Sequence, residues 1–194
     1  MILINCCSYK VFAYLSVFLL LAGCVGNLSH DSAVVKQLRP KIRELGGRNW
    51  IVIAESAFPI RNNAGLEVIA VDADIPYLVE TVGQLIEETY HVRPRVYETT
   101  EINHVDYDYA PGIKNYMEQL ELALHGRPVI TLDHEMLLQL MDNTSEKYRV
   151  LVIKSNTALP YSSVFMELGS GYWDTDSESK LRETIEQKLK NPNN

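Results

Sequence analysis

Apolar positions follow two rhythms along the chain. Between residues 33 and 45 they recur at helical spacing, with Val34, Val35, Leu38, Ile42 and Leu45 on one side, and Gly46-Gly47 provides a stop. Pro40 lies inside this segment, where it either kinks the helix or marks the start of its regular part. Trp50-Ile51-Val52-Ile53-Ala54 is apolar at every position, as expected of a strand covered on both faces. Residues 66–71 predict a second strand. Residues 75–88 predict a helix, with Pro76 in its first turn, where a missing N–H is tolerated.

The same alternation continues to the C-terminal end. Residues 95–98 predict a strand, 99–111 a loop rich in Asn, Asp and Tyr, and 113–124 a helix closed by His125-Gly126. Residues 128–132 predict a strand and 134–141 a short helix with Asp133 as N-cap, followed by a turn over 142–147. Strands over 149–154 and 164–168 and a charged helix over 177–190 complete the pattern. Strands alternating with helices predict an α/β fold. Because several strands are apolar throughout, the expected form is a single three-layer α/β/α domain with a largely parallel sheet. No internal repeat interrupts it.

The first 24 residues follow a different rule. Lys10 is the only charge before residue 24, an apolar stretch runs from 11 to 22, and Leu21-Ala22-Gly23-Cys24 resembles a lipobox. The stretch is short for a membrane span and suits a signal-peptide core. The expected organisation is a lipoprotein signal peptide over 1–23 and a tether over 24–32. The soluble domain then spans 33–172 and the terminal helical segment 173–194. Cys24 is the expected lipidation site and membrane anchor. The other cysteines, Cys6 and Cys7, fall in the signal segment, so the mature chain is expected to hold neither a disulfide framework nor a cysteine-ligated metal. Val25 after the cysteine leans toward the outer membrane, so the expected location is the cell envelope, facing the periplasm.

Composition narrows the function. Hydrophobic residues make up 46% and charged residues 22% of 194, and the formal net charge is −7. No Lys/Arg run is present, and an acidic chain without a basic face lacks the electrostatic footprint for nucleic acid. No phosphate-cradling glycine motif, zinc-binding helix pair or Gly-x-Ser-x-Gly elbow occurs. What remains is a set of polar residues at strand ends, where open α/β sheets hold their ligands. Glu55 follows the first strand, His134 opens a helix and Tyr161 precedes the last strand. Taken separately, each has an ordinary reading: a solvated strand-end carboxylate, a helix-start histidine, a packing tyrosine.

Three stretches in order resemble the D-ribose pyranase / L-fucose mutarotase family. Leu45-Gly46-Gly47, the apolar strand and Glu55-Ser56-Ala57-Phe58-Pro59 look like its first motif. Asp133-His134-Glu135 is similar to its second, and Pro160-Tyr161-Ser162-Ser163-Val164 to its last. The similarity spans roughly residues 42–171. It implies a monosaccharide ligand, no cofactor, and a homo-oligomer with sites near subunit contacts. It also implies Glu55, His134, Tyr161, Ser162 and Ser163 as sugar contacts, among which Glu55 and His134 are the candidate catalytic groups. This sequence departs from the pattern at Gly47, where the family carries its acid/base histidine, at Glu55 in place of Asp, and at Ser163 in place of Asn. His104, in the polar loop, is the best placed of the remaining histidines to stand in. The expectations are therefore a sugar-binding lipoprotein with little or no catalysis, an active mutarotase working through Glu55 and His134, or an interaction protein that kept only the fold.

Overall fold

β1 (Trp50–Ala54) is the strand on which the sheet is built, and its residues are buried at every position. The computed structural model describes residues 33–190. The signal segment, Cys24 and the tether lie outside the described residues. No helix among those described is long and apolar enough to cross a membrane.

The other strands are β2 (Leu66–Ala70), β3 (Val92–Thr99), β4 (Val129–Leu132), β5 (Val150–Lys154) and β6 (Val164–Ser170), in spatial order β2-β5-β1-β6-β3-β4. β1 pairs in parallel with β5, β5 with β2, and β3 with β4, while β6 runs antiparallel to both β1 and β3. Five strands thus share one direction, and their carboxyl ends lie along one edge of the molecule. The helices are α1 (Ala33–Arg43), α2 (Ile75–Glu87), α3 (Ile113–Leu124), α4 (His134–Ser145) and α5 (Thr175–Lys190).

Alternate residues of β1 face two cores. Ile51 and Ile53 point into one built with α1, α2 and α3, which contribute Leu38, Ile42, Leu78, Val82 and Leu120. Trp50, Val52 and Ala54 point into a second, closed by Leu137, Leu138 and Met141 of α4. The result is the expected three-layer α/β/α arrangement with a largely parallel sheet. Each fully buried Ile or Leu contributes on the order of 1.5–3 kcal/mol through the water it sheds.

Several boundaries differ from the sequence expectation, each for a local reason. β3 begins at Val92 rather than Arg95, and Pro94 is accommodated inside it opposite Leu168 of β6. α4 continues to Ser145 instead of ending at Met141. Its last turn, Asp142-Asn143-Thr144-Ser145, is turn-prone in composition, but Asn63 and Arg61 bond Asp142, and Ser145 Oγ donates to the Asp142 carbonyl. The polar loop contains a 3-10 helix, Thr100–His104, that no periodicity announced. Pro40 is inside α1, which ends two residues early at Arg43. α5 begins at Thr175, and none of its residues is buried.

Candidate functional site

Glu55 is the first residue beyond the carboxyl end of β1, and its carboxylate is gripped by the turn before β6. The Ser162 N–H donates to Glu55 Oε2 at 3.1 Å, Ser163 Oγ lies 3.4 Å from the same oxygen, and the Glu55 N–H donates to Ser163 Oγ at 3.1 Å. Both serines are buried. Burial raises the Glu55 carboxyl above the ordinary glutamate range, opposed first by the Ser162 N–H, then by nearby His134 and the serine hydroxyls.

The turn is itself strained and pinned. Tyr161 has φ 59°, a left-handed conformation unfavourable for a residue with a side chain. Its carbonyl accepts from Thr99 Oγ1 at 3.1 Å, and the next carbonyl, of Ser162, accepts from Tyr116 Oη of α3 at 2.5 Å. Burial, then the carboxylates of Glu98, Glu55 and Asp74, push the Tyr116 phenol well above its usual pKa, so it stays a hydrogen-bond donor. Tyr161 is left partly exposed, its ring edge-on to His134 at 5.3 Å between centroids.

His134 reaches this point because α4 starts where it does. Asp133 is the N-cap, accepting from the Met136 N–H at 3.2 Å, and both carboxylate oxygens of Glu101 accept from the His134 N–H at 3.1 and 3.2 Å. Replacing Asp133 with alanine is expected to cost about 1 kcal/mol, read from urea unfolding, by leaving an N-terminal N–H of α4 unpaired. His134 Nδ1 is buried and has no hydrogen-bond partner among the described residues.

The structure thus brings Glu55, His134, Tyr161, Ser162 and Ser163 to one place, the carboxyl end of the sheet. It also supplies residues that the sequence did not single out: Glu101 and Thr99, which hold His134 and Tyr161, and Tyr116, which anchors the turn from below. No sequence spacing announces them, since their partners are 33, 62 and 46 positions away. Gly47 is not part of this group. It precedes β1, beside Leu168, Gly169 and Ser170, at the opposite end of the strand from Glu55. Five strand residues separate them, roughly 17 Å, so a histidine at 47 would not reach Glu55 within one chain. His91 also lies toward that far end, bonded to the Leu45 carbonyl at 3.0 Å, and His125 faces Glu80. His104 ends the 3-10 helix that carries Glu101, with its side chain exposed.

Glu98, near the end of β3, is a second carboxylate whose pKa is raised, by burial. It lines a cavity of about 400 Å³ with Glu118, Glu121 and Arg127. A folded-state pKa above the unfolded value means that the folded chain holds the extra proton. The stabilisation is therefore full below the unfolded pKa and is lost as pH rises through the folded one. Glu98→Gln is expected to unfold at higher urea concentration than the parent at neutral pH, and the gap should close on acidification below the usual glutamate pKa.

No family model matches this sequence, and no curated protein matches it. Solved structures do. Bacillus subtilis RbsD complexed with D-ribose aligns at 20% identity and TM-score 0.48, covering 69% of this chain and 91% of that one. The fucose mutarotase of Streptococcus pneumoniae in complex with L-fucose aligns at 17% identity and TM-score 0.47, covering 73% and 94%. FucU from Bifidobacterium longum aligns at 14% identity and TM-score 0.48, covering 69% and 94%.

Proposed function

We propose that this protein binds a monosaccharide at the carboxyl end of its sheet, through Glu55, His134, Tyr161 and the Ser162-Ser163 turn. The observation that carries the reading is a mismatch of supply and demand at one point. A half-buried carboxylate has one oxygen engaged by the turn, and a buried imidazole nitrogen beside it has no hydrogen-bond partner among the described residues. Buried polar atoms are almost always paired, so such a cluster fits a ligand that brings hydroxyls in both donor and acceptor roles. A sugar does so, and its C–H face can rest on the exposed Tyr161 ring. The strained backbone at Tyr161 is the kind of cost retained where a side chain must be aimed.

A second reading, sugar ring opening, is favoured by the raised pKa of Glu55. The step needs a base to take the anomeric hydroxyl proton and an acid to protonate the ring oxygen as the C–O ring bond breaks to leave a carbonyl. Closure reverses it, so no cofactor is consumed. Glu55 and His134 are the pair in reach. Anchoring through lipid on Cys24 belongs to the same proposal and would place the site outside the cytoplasm, in contact with free sugars.

The test is a titration with ribose, fucose and hexoses, followed by amide shifts and by saturation transfer between anomers. Saturable shifts at the five residues support binding, and exchange above the buffer rate adds catalysis. Neither shifts nor exchange across the panel would leave the interaction-protein reading.

A further inference from the structure

The far end of the sheet holds a feature of opposite character. A cavity of about 590 Å³ opens beside the amino ends of β3 and β4, where α2 ends, within the range of small-molecule sites. Arg93, Arg95 and Arg127 line it, with Glu87 paired to Arg127 and Glu167, outside the lining, paired to Arg95, in a chain whose net charge is −7. Ile86, Pro94, Pro128 and Ile130 supply apolar walls.

The guanidiniums are held rather than loose. Arg93 Nη1 donates to the Val92 and Thr89 carbonyls at 2.9 and 3.3 Å. Arg127 Nη1 donates to the Leu124 carbonyl at 3.2 Å, and its Nη2 pairs with Glu87, itself mostly exposed. Arg95 donates to Glu167 at 3.1 Å. A guanidinium has five N–H donors, so each keeps donors beyond these bonds. Arg127 is further seated by Gly83, a glycine inside α2. A Cβ at that position would meet its guanidinium atoms at 3.2 and 3.3 Å. Glycine in a helix interior is unfavourable relative to alanine. Here it makes room for a cation.

We propose that this cavity binds a small phosphate monoester with an apolar body. A carboxylate is satisfied by one guanidinium fork, whereas a phosphate offers three terminal oxygens and up to two charges, enough for two or three arginines at once. The apolar walls fit the carbon part. The site is independent of the Glu55 cluster: Arg93 is six residues before Thr99, about 20 Å along β3.

Phenyl phosphate, inorganic phosphate and benzoate are the probes, titrated by calorimetry and amide shifts against the full chain. Phenyl phosphate is expected to bind saturably and tighter than either of the others. Arg93→Gln and Arg127→Gln should each weaken it about tenfold, with Arg182→Gln on α5 as an unchanged control. Gly83→Ala, which favours the helix, should keep the fold and still weaken binding severalfold. Sugar titrations on the same arginine variants should match the parent, separating this site from the other. No saturable binding of phenyl phosphate, tighter binding of benzoate, or affinity indifferent to Arg93 and Arg127 would overturn the proposal.

Discussion

Glu55→Gln is expected to weaken sugar binding about 10–100-fold while leaving the fold intact, because a hydrogen bond to a charged group contributes about 1.5–3 kcal/mol. Glutamine is close to isosteric, and its carbonyl oxygen can still accept from the Ser162 N–H, so the turn keeps its main tether. What it loses is the charge that a sugar hydroxyl would meet. The measurement is the titration of amide shifts, with circular dichroism as the check on folding. The pH dependence adds a second signature. Burial raises the Glu55 pKa, so the parent should lose affinity as pH falls through that raised value, and the Gln variant should show a flat profile over the same range. Equal affinity in parent and variant would remove Glu55 from the site.

Phe165→Ala is expected to cost about 3–5 kcal/mol, the usual penalty for emptying a buried aromatic site. Phe165 is fully buried in the α4-side core, in register with Val52 on β1 and Tyr97 on β3, at the centre of the sheet. Its ring also meets Phe58 edge-on at 6.2 Å between centroids. Phe58 belongs to the loop that starts at Glu55, so the cavity should loosen the site as well as the core. For a chain of this size the loss corresponds to a melting temperature lower by roughly 10 °C. Scanning calorimetry reads it directly. A drop of only a degree or two would mean that Trp50, Tyr97 and Phe58 collapse into the space.

The layering was legible because β1 is apolar at every position, β5 at all but its last, Lys154, and the helices repeat at 3.6. Those patterns report burial, and burial decides strand and helix alike. Where burial leaves no periodic trace, the sequence does not announce the element. The 3-10 helix over Thr100–His104 is mostly exposed and polar, so nothing distinguished it from loop. The end of α4 is not legible because Asp142-Asn143-Thr144-Ser145 favours turns locally, and the side chains that tie it down include the distant Arg61 and Asn63. The chemical residues followed the same division. Glu55, His134 and Tyr161 stood at strand and helix ends, where the order of motifs pointed. Glu101, Thr99 and Tyr116 act through contacts that cross dozens of positions, invisible to any local pattern. Gly47 carried weight in the sequence as a missing proton carrier, yet geometry sets it at the wrong end of β1 to have served Glu55 in its own chain.

The placement of β6 has a bearing on how the chain is made. Only the β3–β4 pair is complete before residue 150, and β5 then joins β1 to β2. The two halves of the sheet are stitched together solely by β6, which enters between β1 and β3 after nearly all the domain has been synthesised. A nascent chain on the ribosome therefore cannot close its core early, and its long-range pairing is slow by topology.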